Sequence, residues 1–195
     1  MNRVAVAVVA AVLLVAGCAG NGAPAAETVG RQPPSSPAVP TLPDCPELAR
    51  AEPRADGLPD VELECLGQGP AVRLSDLRGT PTVLNIWAAW CTNCDREMPI
   101  LRDVQERGGK RLRFFGVHYK APRDYGLRSA ADFGVSFPSV HDEDGDLIAG
   151  RLQAFAPPQT LFVAADGRIA GRKIGEIRSA KELSALIERY LGVRV

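Results

Sequence analysis

Apolar positions along this chain change their period from one segment to the next, and the periods predict the elements. Thr82 to Trp87 is a nearly unbroken apolar run, the pattern of a strand buried on both faces. Before it, Val61 to Cys65 and Ala71 to Leu74 read as two short strands around the turn-forming Gly67-Gln68-Gly69. After it, Met98, Leu101 and Val104 fall on one face of a helix, with Pro99 inside that helix expected to kink it. Arg111 to Tyr119 is the next strand, and Asp124 to Gly134 the next helix. Phe137 to His141 is a short extended piece that ends at Asp142-Glu143-Asp144-Gly145, and a short helix is expected over Asp146 to Leu152. Thr160 to Ala165 and Arg168 to Ile174 flank Asp166-Gly167, a hairpin signal because both residues tolerate positive φ.

The last helix carries the strongest local signature. Ser179-Ala180-Lys181-Glu182 is a capping box; Leu183, Leu186, Ile187, Tyr190 and Leu191 follow at helical spacing, and Gly192 stands where a helix stops. Strand, helix, strand, helix, then hairpin and helix predict an α/β fold: a central mixed β-sheet flanked by helices, with an N-terminal β-hairpin extension.

The amino terminus follows different rules. One positive charge at Arg3 precedes an apolar run from Val4 to Ala16, which matches a secretory signal and is too short to span a bilayer as a finished helix. The run closes in Val15-Ala16-Gly17-Cys18, which resembles the bacterial lipobox, so residues 1–17 are expected to be a signal peptide and Cys18 a lipidated N-terminus. Two acyl chains would give stable anchoring, each buried methylene adding about 0.8 kcal/mol. Residues 18–41 are rich in Ala, Gly, Pro and Ser and too poor in large apolar groups to offset their ordering entropy, which predicts a flexible tether. Residues 42–195 are long enough for one domain with its own core. Lys plus Arg and Asp plus Glu both number 23, and no basic stripe with interleaved aromatics occurs, which argues against a nucleic-acid partner.

Five cysteines remain to be placed. Assigning Cys18 to lipid leaves Cys45, Cys65, Cys91 and Cys94, an even number in a chain whose signal sends it to a compartment where disulfides persist. Cys91 and Cys94 open a helix after a buried strand, where free backbone N–H groups and the dipole stabilise a thiolate. Cys91, nearer the helix end, is expected to attack, and Cys94 to resolve the mixed disulfide. Cys45 and Cys65 are expected to form a structural disulfide, worth about 3 kcal/mol for a loop of that size.

The stretch Trp87-Ala88-Ala89-Trp90-Cys91-Thr92-Asn93-Cys94-Asp95-Arg96-Glu97-Met98-Pro99 resembles the redox motif of the thioredoxin-like TlpA/ResA proteins, membrane-tethered oxidoreductases of bacterial envelopes. Pro157-Pro158-Gln159-Thr160-Leu161-Phe162-Val163 with Asp166-Gly167 looks like that family's cis-proline segment and hairpin. The resemblance implies a thioredoxin-like fold over residues 42–195 and a protein thiol–disulfide oxidoreductase without cofactor or metal. It implies that Pro158 and Trp90 meet the substrate, that Glu97 handles protons, and that the partners are exported protein thiols or disulfides and a membrane redox partner. Pro157 departs from the residue usual at its position. Asn85 stands where cytosolic thioredoxins carry a proton-exchanging Asp; an amide cannot do that, and a core amide bonded to backbone is expected instead. His118 and Tyr119 are expected to serve packing or surface, and Trp90 to shield Cys91.

Other classes fit less well. Zinc binding would need a second closely spaced cysteine pair or a His at finger-like spacing. Haem attachment would need His where Asp95 stands. A thiol peroxidase on the same fold, or a non-catalytic lipoprotein with a structural disulfide, are the alternatives kept open.

Overall fold

The computed structural model describes residues 42–154 and 156–195, apart from the side chains of Leu147 and Ile148. The signal peptide of residues 1–17, lipidated Cys18 and the tether of residues 18–41 lie outside the described residues. Among those described, no helix is long and apolar enough to cross a membrane.

The chain runs β1 (Glu62–Leu63), β2 (Val72–Arg73), β3 (Thr82–Trp87), α1 (Thr92–Gly108), β4 (Arg113–Tyr119), α2 (Arg123–Phe133), β5 (Ser139–Asp142), α3 (Asp146–Leu152), β6 (Gln159–Val163), β7 (Ile169–Ile174) and α4 (Ala180–Leu191). The main sheet has the order β5-β4-β3-β6-β7. β3 pairs in parallel with β4 and β4 with β5, while β6 pairs antiparallel with both β3 and β7. This is the mixed α/β sheet the sequence pattern predicts.

β3 is the sheet's centre, and every one of its residues is buried. Its alternation sorts them onto two faces. Val83 and Trp87 pack in a core with Met98, Leu101 and Val104 of α1, Ala130 of α2, and Leu183 and Ile187 of α4. Leu84 and Ile86 pack in the other core with Leu58, Leu63, Val72 and Leu74 from the amino-terminal segment and Leu152 of α3. Asn85, two residues from both Val83 and Trp87, therefore belongs to the face that α1 covers.

The β1–β2 hairpin covers an edge that would otherwise stay unpaired. Leu66 N–H donates to Ser139 O, and His141 N–H to Glu64 O, so the segment after β1 lies against β5. Gly69 makes the turn between β1 and β2 feasible: at φ 104° it brings the backbone so near Cys45 that a Cβ would lie 2.6 Å from Cys45 O.

Two local expectations need correction. In the β6–β7 hairpin only Gly167 takes a positive φ (90°), and Asp166 does not. Ala164 N–H bonds to Arg168 O and Gly167 N–H to Ala164 O, which makes a three-residue loop over 165–167 that ends on a positive-φ glycine rather than a two-residue turn. In the α4 cap, Ser179 Oγ accepts from Glu182 N–H, but Glu182 reaches back to Arg178 N–H instead of to the cap residue itself. Around Pro99, α1 is assigned as one uninterrupted helix from Thr92 to Gly108.

Candidate active site

Cys91 is the N-cap of α1, immediately beyond the carboxyl end of the central strand. It is bonded to Cys94, with Cα atoms 5.2 Å apart. Its Sγ also accepts a hydrogen bond from Cys94 N–H at 3.1 Å, so this sulfur faces the free donors at the helix start. Cys91 is 6% exposed and Cys94 is fully buried, one turn deeper. Both cysteines share a buried core with Trp87, which is itself inaccessible.

Pro158 enters from the other side of β3. The Pro157–Pro158 peptide bond is cis. The antiparallel register pairs Ile86 with Gln159, which sets Pro158 beside Trp87 at the strand end from which the cysteine turn emerges. Pro158 O accepts from Gly175 N–H at 2.9 Å.

Trp90 is 57% exposed, and its indole N–H donates to Lys120 O at 2.9 Å, fastening it to the β4–α2 turn. Lys120 holds a left-handed φ of 52° there. With Ala89, Ala121, Pro122 and Tyr125 these two residues line a mostly apolar groove of about 400 Å³ beside the disulfide.

Glu97 is no solvated charge of the first helix turn: it is fully buried. Asn85 Nδ2 donates to its Oε1 at 2.8 Å, and Ile177 N–H donates to its Oε2 at 2.9 Å. Burial raises its pKa to about 7; the bonds from Ile177 and Asn85 pull against that rise without cancelling it. The carboxyl is thus poised to change protonation near neutrality, one helical turn beyond Cys94. Asn85 bonds to side chains, not to backbone: Nδ2 also donates to Thr160 Oγ1 at 3.2 Å, while Oδ1 has no partner among the described residues. Arg96, the residue before Glu97 on α1, makes two bonds to Glu176, at 3.0 and 2.9 Å, and so ties the helix to the loop that supplies Ile177.

A second buried polar pair was not foreseen. His118 is fully buried, stacks on His141 and lies 4.8 Å from the Trp87 ring centre. The expectation of packing holds for it, but the partner does not follow from local pattern, since the two histidines are 23 residues apart. In the other core, Cys45 and Cys65 form the second disulfide, with Cα atoms 5.9 Å apart and both residues buried.

A disulfide mounted on the helix cap at the end of a central strand, beside a cis-proline, belongs to one class. The fold and site define a thiol–disulfide oxidoreductase of thioredoxin-like architecture. Residues 55–172 match the profile of the AhpC/TSA family, and the chain belongs to that family. It is 32% identical over 117 residues to the thiol:disulfide interchange protein DsbE of Pseudomonas fluorescens biotype C, covering 60% of this chain and 64% of that protein. To the thiol–disulfide oxidoreductase ResA of Oceanobacillus iheyensis it is 31% identical over 123 residues, 58% of this chain and 61% of that one. The matches thus span a little under two thirds of each relative's length. The structure of MTB dsbF in its mixed oxidized and reduced forms superposes with a TM-score of 0.60 over 68% of this chain and 98% of that one; at 24% identity the likeness speaks for the fold. The expected kinship with ResA-type oxidoreductases therefore holds.

Proposed function

We propose that this protein exchanges disulfides with exported proteins in the bacterial envelope, tethered to the membrane by a lipid on Cys18. In this reading residues 1–17 are removed as a signal peptide, residues 18–41 are the tether and residues 42–195 are the working domain. A membrane redox partner resets the Cys91–Cys94 pair.

One observation carries the chemistry: Cys91 is the less buried cysteine, and its Sγ is the one that faces the helix start. In the reduced protein its thiolate attacks a client disulfide, forming a Cys91–client bond and releasing the client's other sulfur as thiolate. Cys94 then attacks Cys91, closing the internal disulfide and freeing the second client sulfur. Two electrons pass to the client, and the reverse sequence oxidises a client dithiol. Glu97 takes or gives the proton that Cys94 loses or regains. Trp90 and the edge at Pro158 hold the client chain on either side of the sulfurs, with the groove beside Trp90 and Tyr125 receiving an apolar side chain. Cys45–Cys65 serves structure alone. The relatives' names support interchange over the peroxidase alternative.

Trapping tests the assignment. Cys94→Ser should accumulate mixed disulfides with client proteins, and Cys91→Ser should accumulate none. Equal trapping by the two variants would overturn the roles.

A further inference from the structure

We propose that the Asn85 side-chain amide turns over when Glu97 gains or loses its proton, so that the buried carboxyl keeps a matched hydrogen-bond partner in both states. The idea rests on the proposed proton-handling role of Glu97, and it assigns to Asn85 the part of a positioning residue.

The geometry states the problem and its solution. Asn85 and Glu97 are both fully buried, so neither can turn to water for a missing bond. With Glu97 ionised, Asn85 Nδ2 points between two acceptors, Glu97 Oε1 and Thr160 Oγ1, while Oδ1 has no partner among the described residues. A donor aimed at a carboxylate is a charge-assisted bond and favours the charged form. Protonation changes the demand. Ile177 N–H keeps Oε2 engaged as an acceptor, so the proton belongs on Oε1, where its O–H would meet an N–H head-on. Rotating the amide by half a turn exchanges Nδ2 and Oδ1. Oδ1 then accepts from Glu97 Oε1–H, and the Thr160 hydroxyl, able to donate as well as accept, gives its proton to the same oxygen. The outward amide atom is unpartnered before the turn, as Oδ1, and after it, as Nδ2. The rotation therefore creates no additional lost bond.

An amide meets both demands where a carboxylate or an apolar group does not. An aspartate at position 85 would place a second carboxylate against Glu97 and hold both to a shared proton. An apolar side chain would leave Oε1 without a partner in either state. Thr160 follows Pro158 by two residues on β6, so the same turn links the state of Glu97 to the strand that leads from the cis-proline.

Nuclear magnetic resonance of the isotopically labelled, oxidised protein decides the matter. The Asn85 side-chain amide and the Glu97 carboxyl carbon are followed together from about pH 5 to about pH 9. The two should shift with one midpoint. In Glu97→Gln, whose amide N–H imitates the protonated carboxyl, the Asn85 signals should stay at their acid position at every pH. Asn85 signals that stand still while Glu97 titrates, a Glu97 that does not titrate in the range, or Glu97→Gln signals fixed at the alkaline position would each overturn the proposal. If Glu97→Gln does not fold, the wild type decides by itself through space: contacts of the Asn85 amide protons to Thr160 should be present above the midpoint and lost below it, and contacts unchanged across it would overturn the proposal. Normal client exchange by Glu97→Gln, beside an amide that follows Glu97, would instead remove Glu97 from the proposed mechanism and leave the amide turn standing.

Discussion

His118 and His141 face each other across the parallel β4–β5 ladder with their Nδ1 atoms 3.0 Å apart. Such a contact holds one proton between two neutral rings, one ring donating and the other accepting. Burial, helped by the neighbouring ring, lowers the His118 pKa to about 4. His141 is lowered too, chiefly by burial; Glu143 and Asp142 raise it and Arg123 lowers it. Gly126 of α2 closes the cage, since a Cβ there would lie 2.6 Å from the His118 ring.

The pair should make the fold acid-sensitive. Between pH 6.5 and about pH 4 the unfolded chain binds a proton at position 118 that the folded chain refuses, so stability falls as pH falls through that window. The loss from His118 amounts to about 3 kcal/mol at most. His118→Phe keeps a ring beside Trp87 and removes the titration. Across the window, the urea unfolding midpoint of this variant should rise relative to that of wild type as the pH falls; a constant difference would show that His118 is not held neutral by the fold.

Glu97 acts in the opposite direction. Its folded pKa is raised from 4.5 to about 7, so between those values the folded protein holds a proton that the unfolded chain releases. Stability should therefore drop by about 3 kcal/mol as pH rises through that window, then level off. In wild type this trend offsets that of His118 where the windows overlap. Glu97→Gln should expose the histidine slope, His118→Phe the glutamate slope, and the double variant neither. Parallel curves for all four proteins would refute the pair of assignments.

The Cys45–Cys65 disulfide should contribute to stability and not to turnover. It closes a loop across 20 positions of sequence and secures the segment that covers β5. Replacing both cysteines by alanine should cost about 3 kcal/mol in denaturant unfolding of the oxidised protein. The rate of disulfide exchange at Cys91 should stay as in wild type. A stable variant with impaired exchange would reverse the division of labour between the two disulfides.

What the sequence by itself determined is what short-range geometry decides. The β3 run, the helix opening at Cys91 and the capping of α4 each depend on residues within about one turn or one pleat of each other, and spacing alone specifies those relations. The alternation of elements was enough for the mixed sheet, because the buried faces of strands and helices can be satisfied by few layer arrangements. Tertiary structure decided the rest. Glu97 reads as an ordinary acidic residue near a helix start; its burial comes from Asn85, 12 positions away, and Ile177, 80 positions away. His118 meets His141 only because β4 and β5 pair in a register that sets them opposite each other. Trp90 is fastened to Lys120, 30 positions away, because the β4–α2 turn offers its indole a carbonyl. Protonation and side-chain direction depend on desolvation and on partners brought in by chain closure, and neither quantity is written in the spacing of neighbouring residues.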